Sequence, residues 1–298
     1  MVGTFVFVVV GLVTVGRGQE SLATFRSTAE IVRVPVWVAD RGRPVQGLAA
    51  DDFILIDNGV EQPLELVTAE SHPVDVTLLL DTSGSITASR LESLKTGVGQ
   101  IASMLQPSDH VRLLTFADAV REVFDGHPGS SVIDVWKVTS GGETSFYDAL
   151  GAALLSRNPA DRPHMIFAMS DGLDTMSFAD VGWITKVAEA ASALLYIALV
   201  EPDEMAPQAV RSLWSVARPT RPNIGRLREL AERTGGLLFQ YPEETSLPTL
   251  FHRVLQDFRT SYLLSYVPTG IVGAVRHEIA VQTKNRRYTV RARKLYIH

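Results

Sequence analysis

Three hard oxygen donors stand at alternate positions in the segment Asp81-Thr82-Ser83-Gly84-Ser85. A nearly continuous apolar run from Val74 to Leu80 precedes them, as in a strand buried on both faces. Leu91, Leu94, Val98, Ile101 and Leu105 follow at helical spacing until Pro107 stops them. The turn between such a strand and helix lies at the carboxyl edge of an open α/β sheet, where ligands bind. One carboxylate and two hydroxyls suit Mg²⁺ or Mn²⁺, which prefer oxygen ligands and retain some waters. The hydroxyls are neutral, so a cation held there keeps much of its charge for an incoming anion. The plainer reading of Asp81, Ser83 or Ser85 is a helix N-cap. Ser83 as a hydrolytic nucleophile lacks both a G-x-S-x-G elbow and an evident base.

The elements that must position this turn are legible in outline. Val111–Phe116, Met165–Met169 and Leu194–Val200 read as further buried strands, with helical patterns around Leu150 and Leu154 and around Val181, Ile184 and Ala188. Ser177 with Asp180 forms a candidate capping box for the second of these. A helix around Leu227 and Leu230 is stopped by Gly235-Gly236, then come a strand at Leu237–Gln240 and a helix from Ser246 to Arg259. Strands alternating with helices predict a doubly wound, mostly parallel six-stranded sheet with helices on both faces. The ends differ. Val32, Val34, Val36 and Val38 alternate with polar or larger residues, and Phe53–Ile56 and Leu64–Val67 flank the hairpin signal Asn58-Gly59. Tyr262–Val267, His277–Thr283 and Tyr288–Arg293 read as strands, the last pair joined through Lys284-Asn285-Arg286. Lone hairpins are marginally stable, so both flanks are expected to pair into one small β-sandwich into which the α/β unit is inserted.

Asp81-x-Ser83-x-Ser85 resembles the metal-ion-dependent adhesion site of von Willebrand factor type A domains. The resemblance implies a Thr from a Gly-rich loop and an Asp at the end of a later strand. Gly141-Gly142-Glu143-Thr144 and Met169-Ser170-Asp171-Gly172 supply them in order. The implied metal ligands are therefore Asp81, Ser83, Ser85, Thr144 and Asp171. Glu143 departs from the family's pattern, and reading the loop one residue later would make Ser145 the candidate. The resemblance covers about residues 74–260. Val45-Gln-Gly-Leu-Ala-Ala-Asp-Asp-Phe53 and Arg291-Ala-Arg-Lys-Leu-Tyr296 are also similar to the flanks of an acidobacterial-type branch of that family. Asp174 reads as a loop residue or an acceptor beside the ligands, and Asp148 as a support for the Thr144 loop. The seven histidines, His72, His110, His127, His164, His252, His277 and His298, show no paired ligand spacing. Trp37, Trp136, Trp183 and Trp214 read as packing residues, and the Pro-bounded stretch from Arg218 to Pro222 as a surface excursion.

The 298 residues are 46% hydrophobic and 20% charged, enough to bury a large core. A net charge of -5 lacks the basic face that nucleic acid requires. The absence of cysteine excludes zinc fingers, iron–sulfur clusters, disulfide scaffolds and thiol nucleophiles. Residues 2–16 carry no charge and are too short for a membrane span of about 20 residues, which fits a signal-peptide core cut after Gly18. The n-region has no Lys or Arg, which departs from that pattern. The expected organisation is a signal peptide (1–18), an N-terminal β-rich segment (19–72), the type A domain (73–260) and C-terminal strands (261–298). The function implied is an exported, non-enzymatic interaction module, with no membrane span in the mature chain. It binds a partner's Asp or Glu carboxylate through Mg²⁺ or Mn²⁺. The alternatives are an assembly protein with a vestigial metal site and a metal-assisted hydrolase.

Overall fold

The computed structural model describes residues 31–68, 73–128, 137–156, 162–200, 222–241, 247–271 and 273–297. Outside them lie the proposed leader (1–18), His72, Trp136, Trp214, His298 and the stretch 218–221. The N-terminal flank folds as β1 (Val32–Asp40), β2 (Arg43–Pro44), β3 (Phe53–Asp57), β4 (Val60–Gln62) and β5 (Glu65–Thr68). The central unit follows: β6 (Asp75–Asp81), α1 (Ala88–Met104), β7 (His110–Phe116), β8 (Val120–Gly126), α2 (Phe146–Leu154), β9 (His164–Ser170), α3 (Val181–Ala190), β10 (Leu194–Val200), α4 (Ile224–Thr234), β11 (Leu238–Tyr241) and α5 (Leu247–Arg259). The C-terminal flank adds β12 (Tyr262–Tyr266), β13 (Arg276–Thr283), β14 (Thr289–Ala292) and β15 (Leu295–Ile297).

The central sheet has six strands in the order β11-β10-β9-β6-β7-β8. All neighbours are parallel except β7 and β8, which pair antiparallel with an irregularity at Leu113/Leu114. β6, β9 and β10 are buried along their whole length, which is why their sequences are apolar without alternation. Leu78, Leu80, Phe167 and Tyr196 face α1 and α5, while Leu79, Ile166, Ala168 and Ile197 face α2, α3 and α4. Helices thus cover both faces, as the alternating pattern predicts. The sheet order places β6 in the interior between β7 and β9, with Asp81 at its carboxyl end.

Strands from the two ends of the chain pair with one another. β1 lies between β12 and β14, β12 also pairs β5, and β13 pairs β3. The two flanking sheets share a core of Val34, Val36, Val38, Phe53, Leu55, Tyr262, Leu264 and Ile279. This is the joint sandwich, not a pair of separate appendages. Two local expectations are corrected. The Asn58-Gly59 turn, with φ of 45° and 83°, joins β3 to the short β4, while the residues expected as its second strand form β5 in the other sheet. β13 and β14 are joined through Lys284-Asn285-Arg286 as expected, and this turn crosses from one sheet to the other. Ser177 does not begin a capping box; Asp180 is itself the N-cap of α3 and accepts from Trp183 N at 2.7 Å. In each case period-two alternation or cap chemistry marks an element without naming its partner.

His164 begins β9 and is buried, with its Nε2 2.9 Å from Thr77 Oγ1. Burial first, then the Arg112 and His110 charges, pushes its imidazole from 6.5 down to about 3. Above pH 6.5 both the folded and unfolded chains keep it neutral. Below that, the unfolded chain takes a proton that the folded chain refuses. Its contribution to stability is whole above the unfolded pKa and is lost as pH falls towards about 3, by roughly 1.4 kcal/mol for each pH unit in that window. Urea unfolding at about pH 7.5 and about pH 4.5 is expected to show a smaller acid loss in His164→Gln than in the wild-type protein. Equal losses would refute this role.

Candidate metal centre

Asp81 closes β6 and is fully buried. Its Oδ1 accepts the Ser83 backbone N–H at 2.9 Å and its Oδ2 accepts the Ser170 hydroxyl at 2.6 Å. α1 begins only at Ala88, with Thr87 in the N-cap position, so the Asp81 carboxylate is no helix cap. The Ser83 and Ser85 hydroxyls lie 3.0 Å apart. Asp171 follows β9, next to β6 in the sheet. Its Oδ1 accepts Leu173 N–H at 2.9 Å, whereas its Oδ2 is buried with no hydrogen-bond partner. Burial, and after it the Asp171 charge, pushes the Asp81 carboxyl up to about 7.

Backbone bonds stitch the third loop to the other two. Gly84 N–H donates to Gly142 O at 3.0 Å and Gly141 N–H to Thr82 O at 2.9 Å. Thr175 N–H and Met176 N–H both donate to Thr144 O, and Thr144 N–H donates to Thr175 Oγ1 at 2.8 Å. Gly142 has φ of +84°, and an added Cβ would meet Asp118 Oδ1 at 2.5 Å, so glycine is required there on both counts. Asp118 also accepts Glu143 N–H. Ser145, the alternative donor, spends its hydroxyl on Ala117 O at 2.7 Å. The structure therefore brings Asp81, Ser83, Ser85 and Asp171 to one sheet edge and holds the Thr144 loop against both neighbouring loops. Asp174 accepts from Tyr147 N–H and Ser177 Oγ, and Asp148 from Phe178 N–H and Ala179 N–H. Both carboxylates brace loops.

Two sequence features gave no signal for residues that matter here. Ser170 reads as an ordinary strand end, yet it orients Asp81 and accepts Gly172 N–H at 2.9 Å. Asp118 reads as a loop acid, yet it shapes the Gly-rich loop. Among the described residues no cluster of three or more His, Cys, Asp or Glu gathers as a metal group. The arrangement instead offers two carboxylates among hydroxyls. Two buried carboxylates side by side, one oxygen without a donor, form a site whose charge balance calls for a cation. Hard oxygen donors of this kind fit Mg²⁺ or Mn²⁺. Ser170→Ala is expected to weaken Mn²⁺ binding about tenfold by freeing Asp81 to rotate, measured by calorimetric titration. An unchanged affinity would contradict this positioning role.

A doubly wound sheet with oxygen-bearing side chains gathered at its carboxyl edge has the layout of an α/β module, and that edge is where ligands of such sheets bind. The chain belongs to the von Willebrand factor type A domain family, whose model matches residues 75–252. Members of that family serve generally as protein-interaction modules and typically hold a divalent metal at the adhesion site. No curated protein sequence matches the chain. A type A protein from Catenulispora acidiphila is similar in fold, with 11% identity and a TM-score of 0.51 over 90% of this chain and 72% of that one. BatB from Bacteroides thetaiotaomicron has 20% identity and a TM-score of 0.49 over 62% and 98%. Proximal thread matrix protein 1 of the mussel byssus, solved with zinc in its adhesion motif, has 16% identity and a TM-score of 0.47 over 67% and 49%. Among the described residues no helix is long and apolar enough to cross a membrane.

Proposed function

We propose that this chain is an exported interaction module that captures a carboxylate of a partner protein at a metal-ion-dependent adhesion site. Asp81, Ser83, Ser85, Thr144 and Asp171 hold the ion, some directly and some through water. The observation that carries this reading is the buried, unpartnered Oδ2 of Asp171 beside the equally buried Asp81. A divalent cation there supplies the positive charge to which an Asp or Glu from the partner binds. The protein side chains fix the site: Ser170 and Ser83 N–H orient Asp81, and the Gly141-Gly142 backbone seats the Thr144 loop. In this reading residues 1–18 are removed on export. Residues 73–260 form the binding unit, and 19–72 with 261–298 form the sandwich beside it.

The test is capture from an extract of exported proteins on the immobilised full chain. A partner retained in Mg²⁺, released by EDTA and not retained by Asp81→Ala is the expected result. Equal retention with and without EDTA would replace this reading with a metal-independent assembly role. Turnover of phosphate esters or carboxyl esters that needs Asp81 would replace it with a hydrolase.

A further inference from the structure

Two turns at one end of the sandwich gather arginines. Asp40-Arg41-Gly42-Arg43 joins β1 to β2, and Lys284-Asn285-Arg286-Arg287 leads into β14. β1 pairs β2 on one side and β14 on the other, with Asp40 opposite Arg43 and Ala39 opposite Thr289. Neighbouring strands are about 4.8 Å apart, so Arg43 and the start of β14 lie within about 10 Å of each other across β1. Directly opposed side chains share a face, which sets Arg43 beside Asp40. From the other side Arg287 holds the Asp40 carboxylate with two prongs, Nε to Oδ1 at 3.0 Å and Nη2 to Oδ2 at 2.8 Å. The second turn is ordered: Asn285 O accepts Tyr288 N–H and Asn285 Oδ1 accepts Arg287 N–H, each at 3.1 Å. Arg41, Arg43, Lys284 and Arg286 are exposed and have no ion-pair partner among the described residues. Arg41 adds a second observation. Its φ is 50° and that of Gly42 is 79°, nearly the backbone of the Asn58-Gly59 turn at 45° and 83°. Asn-Gly suits such a turn, whereas a long side chain at its first position is strained. The turn thus carries a guanidinium at a conformational cost, with no described neighbour to receive its charge.

We propose that this row of arginines binds an acidic polysaccharide, a linear polymer bearing carboxylate or sulfate groups. The site is separate from the metal centre and does not rest on it. Guanidinium forks match anions that present two oxygens, and the Arg287 pair with Asp40 shows that match within the row. The chain as a whole has a net charge of -5, yet this end sets five cations against Asp40, Asp51 and Asp52. Asp40 is taken by Arg287. Asp51 and Asp52 stand at the entry of β3 in the other sheet, which packs about 10 Å away. A polymer lying along the row clears them, whereas a flat anionic bilayer pressed on this end meets them. Neither turn holds any of the exposed large apolar side chains of the described residues, and Pro44 denies the edge of β2 a backbone donor. The row therefore offers a protein neither an apolar anchor nor strand pairing, and it offers a nucleic acid no exposed aromatic ring for its bases.

The probes are immobilised polygalacturonate and dextran sulfate, with the full chain applied in EDTA at low salt. The wild-type chain should be retained and then released by rising NaCl. Arg43→Ser, Arg286→Ser and Arg41→Asn should each weaken binding about fivefold. Arg41→Asn should also raise the urea midpoint, because Asn accepts that φ, so its weaker binding is a lost contact and not a lost fold. Tighter binding of polygalacturonate supports a carboxylated polymer, and tighter binding of dextran sulfate a sulfated one. Retention unchanged in all three variants, or a wild type that binds neither polymer, would overturn the row. Retention that needs Mg²⁺ and is lost in Asp81→Ala would move binding to the metal centre and overturn it too. Double-stranded DNA or phosphatidylglycerol vesicles that bind more tightly through the same arginines would replace the polysaccharide.

Discussion

Asp171→Asn is expected to stabilise the cation-free protein and to make it indifferent to Mn²⁺. Without a cation, Asp171 places a second negative charge beside the buried Asp81 and leaves its Oδ2 without a donor. The amide keeps the shape and the oxygen that accepts Leu173 N–H, and it removes the charge. Removing an uncompensated buried carboxylate of this kind is worth about 1–3 kcal/mol. In the wild-type protein, Mn²⁺ at about a thousandfold excess over Kd adds about 4.1 kcal/mol, a rise of several degrees or more in Tm for a chain of this size. The stability order of the two proteins should therefore reverse between EDTA and Mn²⁺. Parallel thermal unfolding curves in both conditions check it. A wild-type protein that stays below the variant in both would contradict the assignment.

What the sequence made legible follows from how local each signal is. Asp81, Ser83 and Ser85 sit within one turn, so their types and spacing suffice to expose them. Thr144 and Asp171 are distant along the chain and become candidates only through the family resemblance. Ser170 carries no such signal, because a serine closing an apolar strand has the same neighbours whether or not it turns its hydroxyl toward Asp81. The central sheet was readable because continuous apolar runs alternate with amphipathic helices. The flanks were readable as strands but not as pairs. Val281 and Val290 alternate correctly in β13 and β14, yet only the core around Leu55 and Val36 decides that they belong to different sheets.

Gly236→Ala is expected to abolish folding. Gly235 ends α4 with φ of +88°, its N–H bonding Ala231 O and Glu232 O, and Gly236 N–H also returns to Ala231 O. The chain then turns at once into β11 beside β10. An added Cβ at Gly236 would overlap the Leu195 carbonyl, which belongs to the backbone of a central strand and has no rotamer to change. Relief requires prising β11 from β10, so the cost should exceed about 4 kcal/mol, a large part of a typical domain's stability. Gly99→Ala is the matched control: it lies exposed within α1 with nothing within 4 Å of its added Cβ. That change should stabilise by about 0.5–1 kcal/mol. Circular dichroism and urea midpoints distinguish the two. A folded Gly236→Ala protein with an unchanged midpoint would contradict the packing described for β10 and β11.

The most direct measurement of the metal centre is a calorimetric titration of Mn²⁺ into the full, EDTA-stripped chain, repeated with Asp81→Ala. One saturable Mn²⁺ per chain, displaced by excess Mg²⁺ and missing from the variant, is the predicted outcome. A flat titration of the wild type, or an identical isotherm from both proteins, would contradict it.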